Sequence, residues 1–430
     1  MLMTDIIEKK RDKHPLDDKE LEFFVSGVTD KSIPDYQISA LLMAILLNGM
    51  DRRETLTLTT LMAKSGDMLD LSDLSHTADK HSTGGVGDKT TLAVAPIAAA
   101  LGCTVAKMSG RGLGFTGGTV DKLESITGYK TALDTAEFKK IAREHGMCVT
   151  GQSGNFAPAD KRLYAIRDVT ATVNSIPLIA SSIMSKKLAA GAETIVLDVK
   201  FGSGAFMKTA EDAEILAREM VEIGKGAGRK TAAVITDMDV PLGYAVGNAL
   251  EVKEAVRVLK GEGEKNLTSL CILLAAKMYQ ISFDKTEEES IAAARRVTAD
   301  GIAFKRLCAA VKAQGGNEKL LTGEHKFPAA AQTELTAEKD GYITAMNSET
   351  VGKAAVMTGA GRERLGDGID YSAGIILLKK YGDYVKKGER LATLYGAPER
   401  LQNARERLAD AYSIGESKPT EKPIVYKVID

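Results

Sequence analysis

Tryptophan is absent, and aromatic residues of all kinds make up only 5% of the 430-residue chain. Little is left for the aromatic platforms on which single-stranded nucleic acid stacks. An excess of one charge is missing too: 57 Lys and Arg stand against 58 Asp and Glu. A balanced chain offers no bulk field for a polyanion or an anionic membrane, although a local basic pocket remains compatible with it. Cysteine is scarce. Cys103, Cys148, Cys271 and Cys308 are far apart, and none stands with a histidine at zinc-ligand spacing. They read as buried, reduced thiols of a cytoplasmic protein. Long apolar runs are also lacking: the longest, within ALLMAILLNGM, is too short to span a bilayer. The opening segment MLMTDIIEKKRDKH has no apolar signal core. The expectation is a soluble cytoplasmic protein of two or three domains, with neither nucleic acid nor membrane as partner.

The residues that are present fall into three textures. Residues 1–66 are helical in pattern. LDDKELEFFVSG opens on acids and stops at Gly27, IPDYQISALLMAILLNGM opens on Pro34, and DRRETLTLTTLMAKSG ends on Gly66. Short β-branched runs then alternate with helical ones: TVAKM, MCVTG, TIVLDVK and TAAVITD against TAEFKKIAREHG and DAEILAREMVEIGKGAG. Such alternation predicts an α/β layer with mostly parallel strands. Residues 159–191 interrupt it with two helical stretches, expected to pack back onto the first helices. From residue 333, KDGYITAMN, AGIILLKKYGDYVKKGERLATLYG and PIVYKVID read as short strands with glycine turns. The predicted architecture is α/β. It has a helical lobe (1–66 and 159–191) and a larger α/β lobe with a mixed, mostly parallel sheet (79–154 and 194–330). A small, β-rich C-terminal α+β domain follows (333–430).

Two glycine clusters carry the chemistry. DKHSTGGVGDKTT holds Gly84, Gly85 and Gly87 among hydroxyl residues and precedes a helical run. Glycines let backbone amides approach an anion, and a helix N-terminus favours negative charge. Ser82, Thr83, Thr90 and Thr91 add hydroxyls and Lys80 a charge, a set suited to phosphate. The spacing matches neither the nucleotide-triphosphate loop nor Gly-x-Gly-x-x-Gly, so inorganic phosphate or a phosphate ester is the natural guest. KMSGRGLGFTGGTVDKLE repeats these parts after the strand TVAKM, with Ser109, Thr116 and Thr119 among five glycines. Parallel sheets place ligands at that strand end. Lys107 and Arg111 face either the ligand or a surface carboxylate. Ser182 and Lys186, four residues apart, share one helix face. By itself Lys186 reads as an exposed helix lysine and Arg167 as the partner of a neighbouring acid.

These clusters resemble the thymidine and pyrimidine-nucleoside phosphorylase family. The likeness runs on through GQSGNFAPADKRLYAIRDVTATVNSIPLIASSIMSKK, LDVKFGSGAFMK and GNALEVKEA, over nearly the whole chain. The resemblance implies a two-lobed subunit that dimerises through its helical lobe, closes about a hinge, and cleaves pyrimidine nucleosides reversibly with inorganic phosphate. Carried over by position, phosphate contacts fall on Lys80, Ser82, Thr91, Ser109 and Thr119, with Lys107 beside them. Base contacts fall on Arg167, Ser182 and Lys186, and His81 matches the active-site histidine. Catalytic roles are thus implied for His81, Arg167 and Lys186. A potassium ion is implied at Gly87, Lys89, Leu242, Ala245 and Glu254, mostly through main-chain carbonyls, and no organic cofactor is implied.

Two positions depart from the family pattern. Phe115 stands where many relatives have histidine, and Lys89 stands where close relatives have threonine, an ammonium that weakens cation binding. Lys107 points to the broad-specificity enzymes that accept uridine as well as thymidine. The alternatives are a thymidine-selective phosphorylase and a phosphoribosyltransferase of similar fold. The second would need carboxylates such as Asp88 and Asp121 to hold magnesium. YGDYVKKGERLATLYG resembles the hammerhead of biotinyl and lipoyl carriers but lacks their lysine context, so the last domain is read as structural.

Overall fold

Four helices open the chain: α1 (Met3–Arg11), α2 (Asp18–Thr29), α3 (Asp35–Asn48) and α4 (Arg52–Lys64). Asp17 and Asp51 start α2 and α4 through reciprocal capping boxes with Glu20 and Glu54. The computed structural model describes residues 1–430 apart from Leu113, Ser153, Ala329 and Leu365. Next come β1 (Ala78–Ser82), α5 (Thr90–Ala100), β2 (Val105–Ser109), α6 (Thr119–Glu124), α7 (Thr135–His145) and β3 (Met147–Gly151). The interrupting segment forms α8 (Pro158–Val169) and α9 (Ile176–Ala189). Leu163, Ile166 and Leu178 complete the core begun by Leu21, Phe24, Ile38 and Leu42, so α8 and α9 pack with the first helices.

The α/β lobe resumes with β4 (Thr194–Phe201), α10 (Ala210–Gly226), β5 (Lys230–Asp237) and β6 (Ala245–Val246). Four longer helices follow: α11 (Asn248–Leu259), α12 (Lys265–Phe283), α13 (Glu287–Ala299) and α14 (Ile302–Ala313). A one-turn helix α15 (Lys319–Thr322) closes the lobe. β1, β4 and β5 pair in parallel, with Ser82 opposite Asp198, and β2 pairs in parallel with β3. A single bridge, Thr77 to Thr104, links the two sets at their start. The faces of β4 follow the two-residue period of a strand. Ile195, Leu197 and Val199 meet α9 and α10, whereas Val196 faces α5 and α11–α14. α5, which is apolar around its whole circumference, lies buried between these layers, the expected fate of such a helix.

The last domain holds β7 (Ala331–Thr336), β8 (Gly341–Met346), α16 (Ser348–Ala355), β9 (Gly374–Leu377), β10 (Tyr384–Val385), β11 (Arg390–Gly396), α17 (Pro398–Ala409) and β12 (Tyr412–Gly415). Its strands form two antiparallel sheets, one of which takes in β6 from the α/β lobe. Two differences from the sequence reading stand out. The first half of the glycine segment is a strand, β1, not a loop. The final strand, β13 (Val425–Ile429), does not belong to the terminal domain: it adds antiparallel to β5 in the main sheet. Ile429 is buried there beside Ala233 and Ile235, which is the apolar burial that draws it home. Among the described residues no helix is long and apolar enough to cross a membrane. Cys103, Cys148 and Cys271 are buried as expected, while Cys308 is half-buried; burial pushes the Cys103 and Cys271 thiols up to about 12.

Candidate active site

The carboxyl ends of β1, β2 and β3 open into a cavity of about 350 Å³. Its floor is the two glycine clusters, and α9 of the helical lobe supplies Ile183, Lys186 and Lys187 to the wall. Of the residues expected to hold phosphate, Ser82, Thr91, Lys107, Ser109 and Thr119 line it. Thr91 lies in the first turn of α5, so the positive end of that helix faces the cavity. Among the described residues, four cationic side chains (Lys107, Arg111, Lys186, Lys187) and one carboxylate (Asp88) face it, an excess of positive charge that favours an anion.

Lys80 is different. Successive strand residues point to opposite faces, and Lys80 lies beneath the loop. Its ammonium meets Thr90 Oγ1 and stands 3.1 Å from Asp198. Lys200 meets the same Asp198 oxygen at 2.9 Å. Asp88 receives Ser82 Oγ and Thr90 Oγ1. Burial would raise its carboxyl, but Lys80, Lys200 and Lys122 hold it well below the usual carboxylate range. Lys80 therefore acts on the cavity by fixing the loop.

On the opposite face of β1, Asp79 is buried between Lys107 (2.9 Å) and Lys187 (2.8 Å). Burial works against this carboxylate, and the two lysines hold it far below its ordinary value. One negative charge against two positive ones leaves a net cation at the cavity wall. Burial pushes Lys107 down to about 8 despite the attraction of Asp79, with Lys187 and Lys80 adding repulsion. His81, half-buried on the same wall, is held neutral: burial and the charges of Lys187 and Lys107 press it well below 6.5. The active-site histidine that the resemblance implied is thus a neutral imidazole able to donate one hydrogen bond. Arg111 faces carboxylates, Glu124 at 2.6 and 2.7 Å and Asp121 at 3.1 Å, while still lining the cavity. Lys122 ties the two glycine clusters together by donating to the Asp88 and Gly117 carbonyls at 2.7 and 3.0 Å.

The base-binding expectations divide. Lys186 lines the cavity, donating to Asp160 Oδ2 (2.6 Å) and Ser182 Oγ (3.2 Å). Ser182 is nearly buried, one helical turn behind it. Arg167 is not brought to the cavity. Its guanidinium donates to the carbonyls of Thr172, Val173 and Leu178 at 3.3, 2.7 and 3.1 Å, binding the turn between α8 and α9. Asp79, Asp160, Asp198, Lys122 and Lys187 were not singled out by the sequence. A second, wider cleft of about 700 Å³ shares Gly84 and Thr116 with the cavity and carries Phe115 and Phe206. Phe115 also packs against Gly352 of α16, an apolar use for the position.

The five residues implied for potassium do converge, but around an ammonium. Lys89, fully buried at the start of α5, donates to the Leu242 and Ala245 carbonyls at 2.8 and 2.7 Å and to Glu254 Oε2 at 2.6 Å. Gly87 closes the cage: its φ is +70°, and a Cβ there would lie 2.7 Å from the Leu242 oxygen. Burial would raise Glu254, yet Lys89 and the amides of Tyr244 and Ala245 bring it below its ordinary value. Three acceptors meet the three N–H bonds of an ammonium, so the donor set is spent. A second monovalent cation 4 Å away would be repelled by about 4 kcal/mol at an effective dielectric of 20. These residues do not fit potassium.

Comparison with known proteins bears on this site. Residues 4–66 match the family model described as "Glycosyl transferase family, helical bundle domain", and residues 74–304 the one described as "Glycosyl transferase family, a/b domain". Residues 342–415 match "Pyrimidine nucleoside phosphorylase C-terminal domain". A pyrimidine-nucleoside phosphorylase of Staphylococcus epidermidis is 50% identical over 435 residues, and one of Geobacillus stearothermophilus 49% identical over 432, each covering 100% of both chains. The chain belongs to the pyrimidine-nucleoside phosphorylase family. Anthranilate phosphoribosyltransferase from Thermus thermophilus shares the fold, with TM-score 0.58 and 20% identity over 72% of this chain and 98% of its own. The two carboxylates that a phosphoribosyltransferase reading would need are differently engaged in this family member. Asp88 is held by Ser82, Thr90 and nearby lysines, and Asp121 by Arg111, Arg362 and the Gly112 amide.

Proposed function

We propose that the protein catalyses reversible phosphorolysis of pyrimidine nucleosides, giving the free base and (2-deoxy)ribose 1-phosphate, with inorganic phosphate as co-substrate. The observation that carries the reading is the net-positive, hydroxyl-lined cavity at three parallel strand ends, faced by Lys186 from the other lobe. Breaking the glycosidic bond builds positive charge on the sugar and negative charge on the base. Phosphate held by Ser82, Thr91, Ser109 and Thr119, with Lys107 beside it, stands below the anomeric carbon, stabilises the cationic centre and then bonds to it. Holding both reactants in line removes much of the entropic barrier, and no protein nucleophile is needed. Lys186 meets the charge that develops on the base, and His81 donates a hydrogen bond to its 2-oxo group. Arg167 and Ser182 reach the base as the helical lobe closes; until then Arg167 holds the turn leading into α9. Lys107, beside the sugar, accommodates a ribose 2′-hydroxyl, which supports turnover of uridine as well as thymidine.

The protein acts in the cytoplasm, and a homodimer forms through the helical lobe. The test is release of uracil and thymine from uridine and thymidine, with and without inorganic phosphate. Phosphate-dependent release of both bases is expected. Release without phosphate would overturn phosphorolysis, and thymine release alone would establish the thymidine-selective enzyme instead.

A further inference from the structure

We propose that Lys89 is a built-in cation: its ammonium does the work of a bound monovalent ion and makes the protein independent of potassium and sodium. The cage joins three separate pieces of the fold. Gly87 and Lys89 end the phosphate loop and begin α5; Leu242 and Ala245 bracket the turn leading into β6; Glu254 lies on α11. The turn is fastened further, since the Leu242 amide donates to Val86 O at 3.1 Å and Tyr244 O accepts from Leu377 of the terminal domain at 2.8 Å. The ammonium thus sets the start of α5, whose Thr91 faces the cavity, against both the sheet and the terminal domain. A neighbouring clamp repeats the device. Lys122 pairs with Glu251, one turn before Glu254 on α11, at 3.1 Å while holding Asp88 O.

Two features make the cation intrinsic rather than exchangeable. The charge is tethered, so its local concentration does not depend on solution composition. All three of its protons are used, on two carbonyls and a carboxylate that an apolar side chain would leave buried and unpaired. The ammonium of Lys89 is bonded to Leu242, Ala245 and Glu254, none of which lines the cavity, so it is a positioning residue. Its loss should appear in phosphate affinity first.

The experiment compares the full-length protein in potassium chloride and in choline chloride at matched ionic strength. The melting temperature and kcat/KM for phosphate of the unmodified protein are expected to be the same in both, within about twofold. Lys89→Thr removes the ammonium and leaves the two carbonyls and Glu254 facing one another. In choline this variant should melt lower and show a KM for phosphate raised by about 10- to 100-fold, the usual cost of disturbing a supporting shell. Potassium chloride should restore both properties, which a residue with a merely structural role would not show.

Three results would overturn the proposal. One is a tenfold loss of activity by the unmodified protein when potassium is withdrawn, recovered on its return. Another is an anomalous peak between the Leu242 and Ala245 carbonyls in thallium-soaked crystals of the unmodified protein. The third is a Lys89→Thr variant indifferent to the substitution in choline. If that variant fails to fold, the two arms on the unmodified protein decide. Melting requires no substrate, so this outcome is separate from the fate of the phosphorolysis reading.

Discussion

Lys107 shows how a single side chain sets the chemistry at the cavity wall. Its pKa is pushed down to about 8, so the free protein loses this charge as the pH rises through that value. Because kcat/KM reports groups of the free enzyme, kcat/KM for phosphate should fall above pH 8. Lys107→Met should lack that limb and be about 10- to 100-fold lower at neutral pH, the worth of one hydrogen bond to a charged group. Asp79 keeps Lys187 as partner, so the variant leaves no orphaned buried charge. A rate profile in phosphate that stays flat to pH 9.5, or a limb that survives in the variant, would remove Lys107 from phosphate binding. At this scale the hydroxyl and cationic residues of the glycine clusters were legible, because a ligand constrains residue types at fixed spacing. Their buried partners were not. Asp79, Asp198 and Asp160 reach Lys187, Lys80 and Lys186 only after separate strands and helices are packed, and no local pattern records such a meeting.

At the scale of elements, periodicity read the helices and the apolar strands well. β3 runs over Met147–Gly151, the span that its pattern had marked, and α10 over Ala210–Gly226, starting and ending two residues before the marked pattern. β1 escaped because Asp79, Lys80, His81 and Ser82 have neither the apolar alternation nor the β-branched content of a strand. Its conformation is set by parallel pairing with β4 and by ion pairs on both faces. α3 carries a feature that its sequence alone left ambiguous. Tyr36 and Leu47 are 75% and 74% exposed, with Met43 between them at 36%, and their spacing puts them on one face of the helix. An apolar face of this kind on the helical lobe suits self-association. Sedimentation should find a dimer, and Leu47→Glu should shift it to monomer while the melting temperature stays within a few degrees, since an exposed position costs little (about 0.5 kcal/mol). A dimer untouched by the substitution would place the interface elsewhere.

At the scale of the whole molecule, the terminal domain is an insertion and not an appendage. The chain leaves the α/β lobe after α15, builds two antiparallel sheets, and returns to give β13 to the main sheet. The glycine-turned strands of the last hundred residues read as one block, because a strand's partner is not written in its own residues; only the burial of Ile429 against β4, β5 and α10 separates β13 from its neighbours. With β6 crossing the other way into the terminal sheet, the domain is held at two points, and the Lys89 cage lies just before β6. Removing residues 424–430 should therefore damage the phosphate-binding lobe. β5 would become an edge strand, Lys277 would lose Asp430, and the loss of buried Ile429 alone would cost about 1.5–3 kcal/mol. Hydrogen exchange should quicken at residues 233–236 of β5, the positions paired with β13, while β7–β12 keep their protection. Faster exchange confined to β7–β12, with β5 unchanged, would mean that the last strand serves the terminal domain after all.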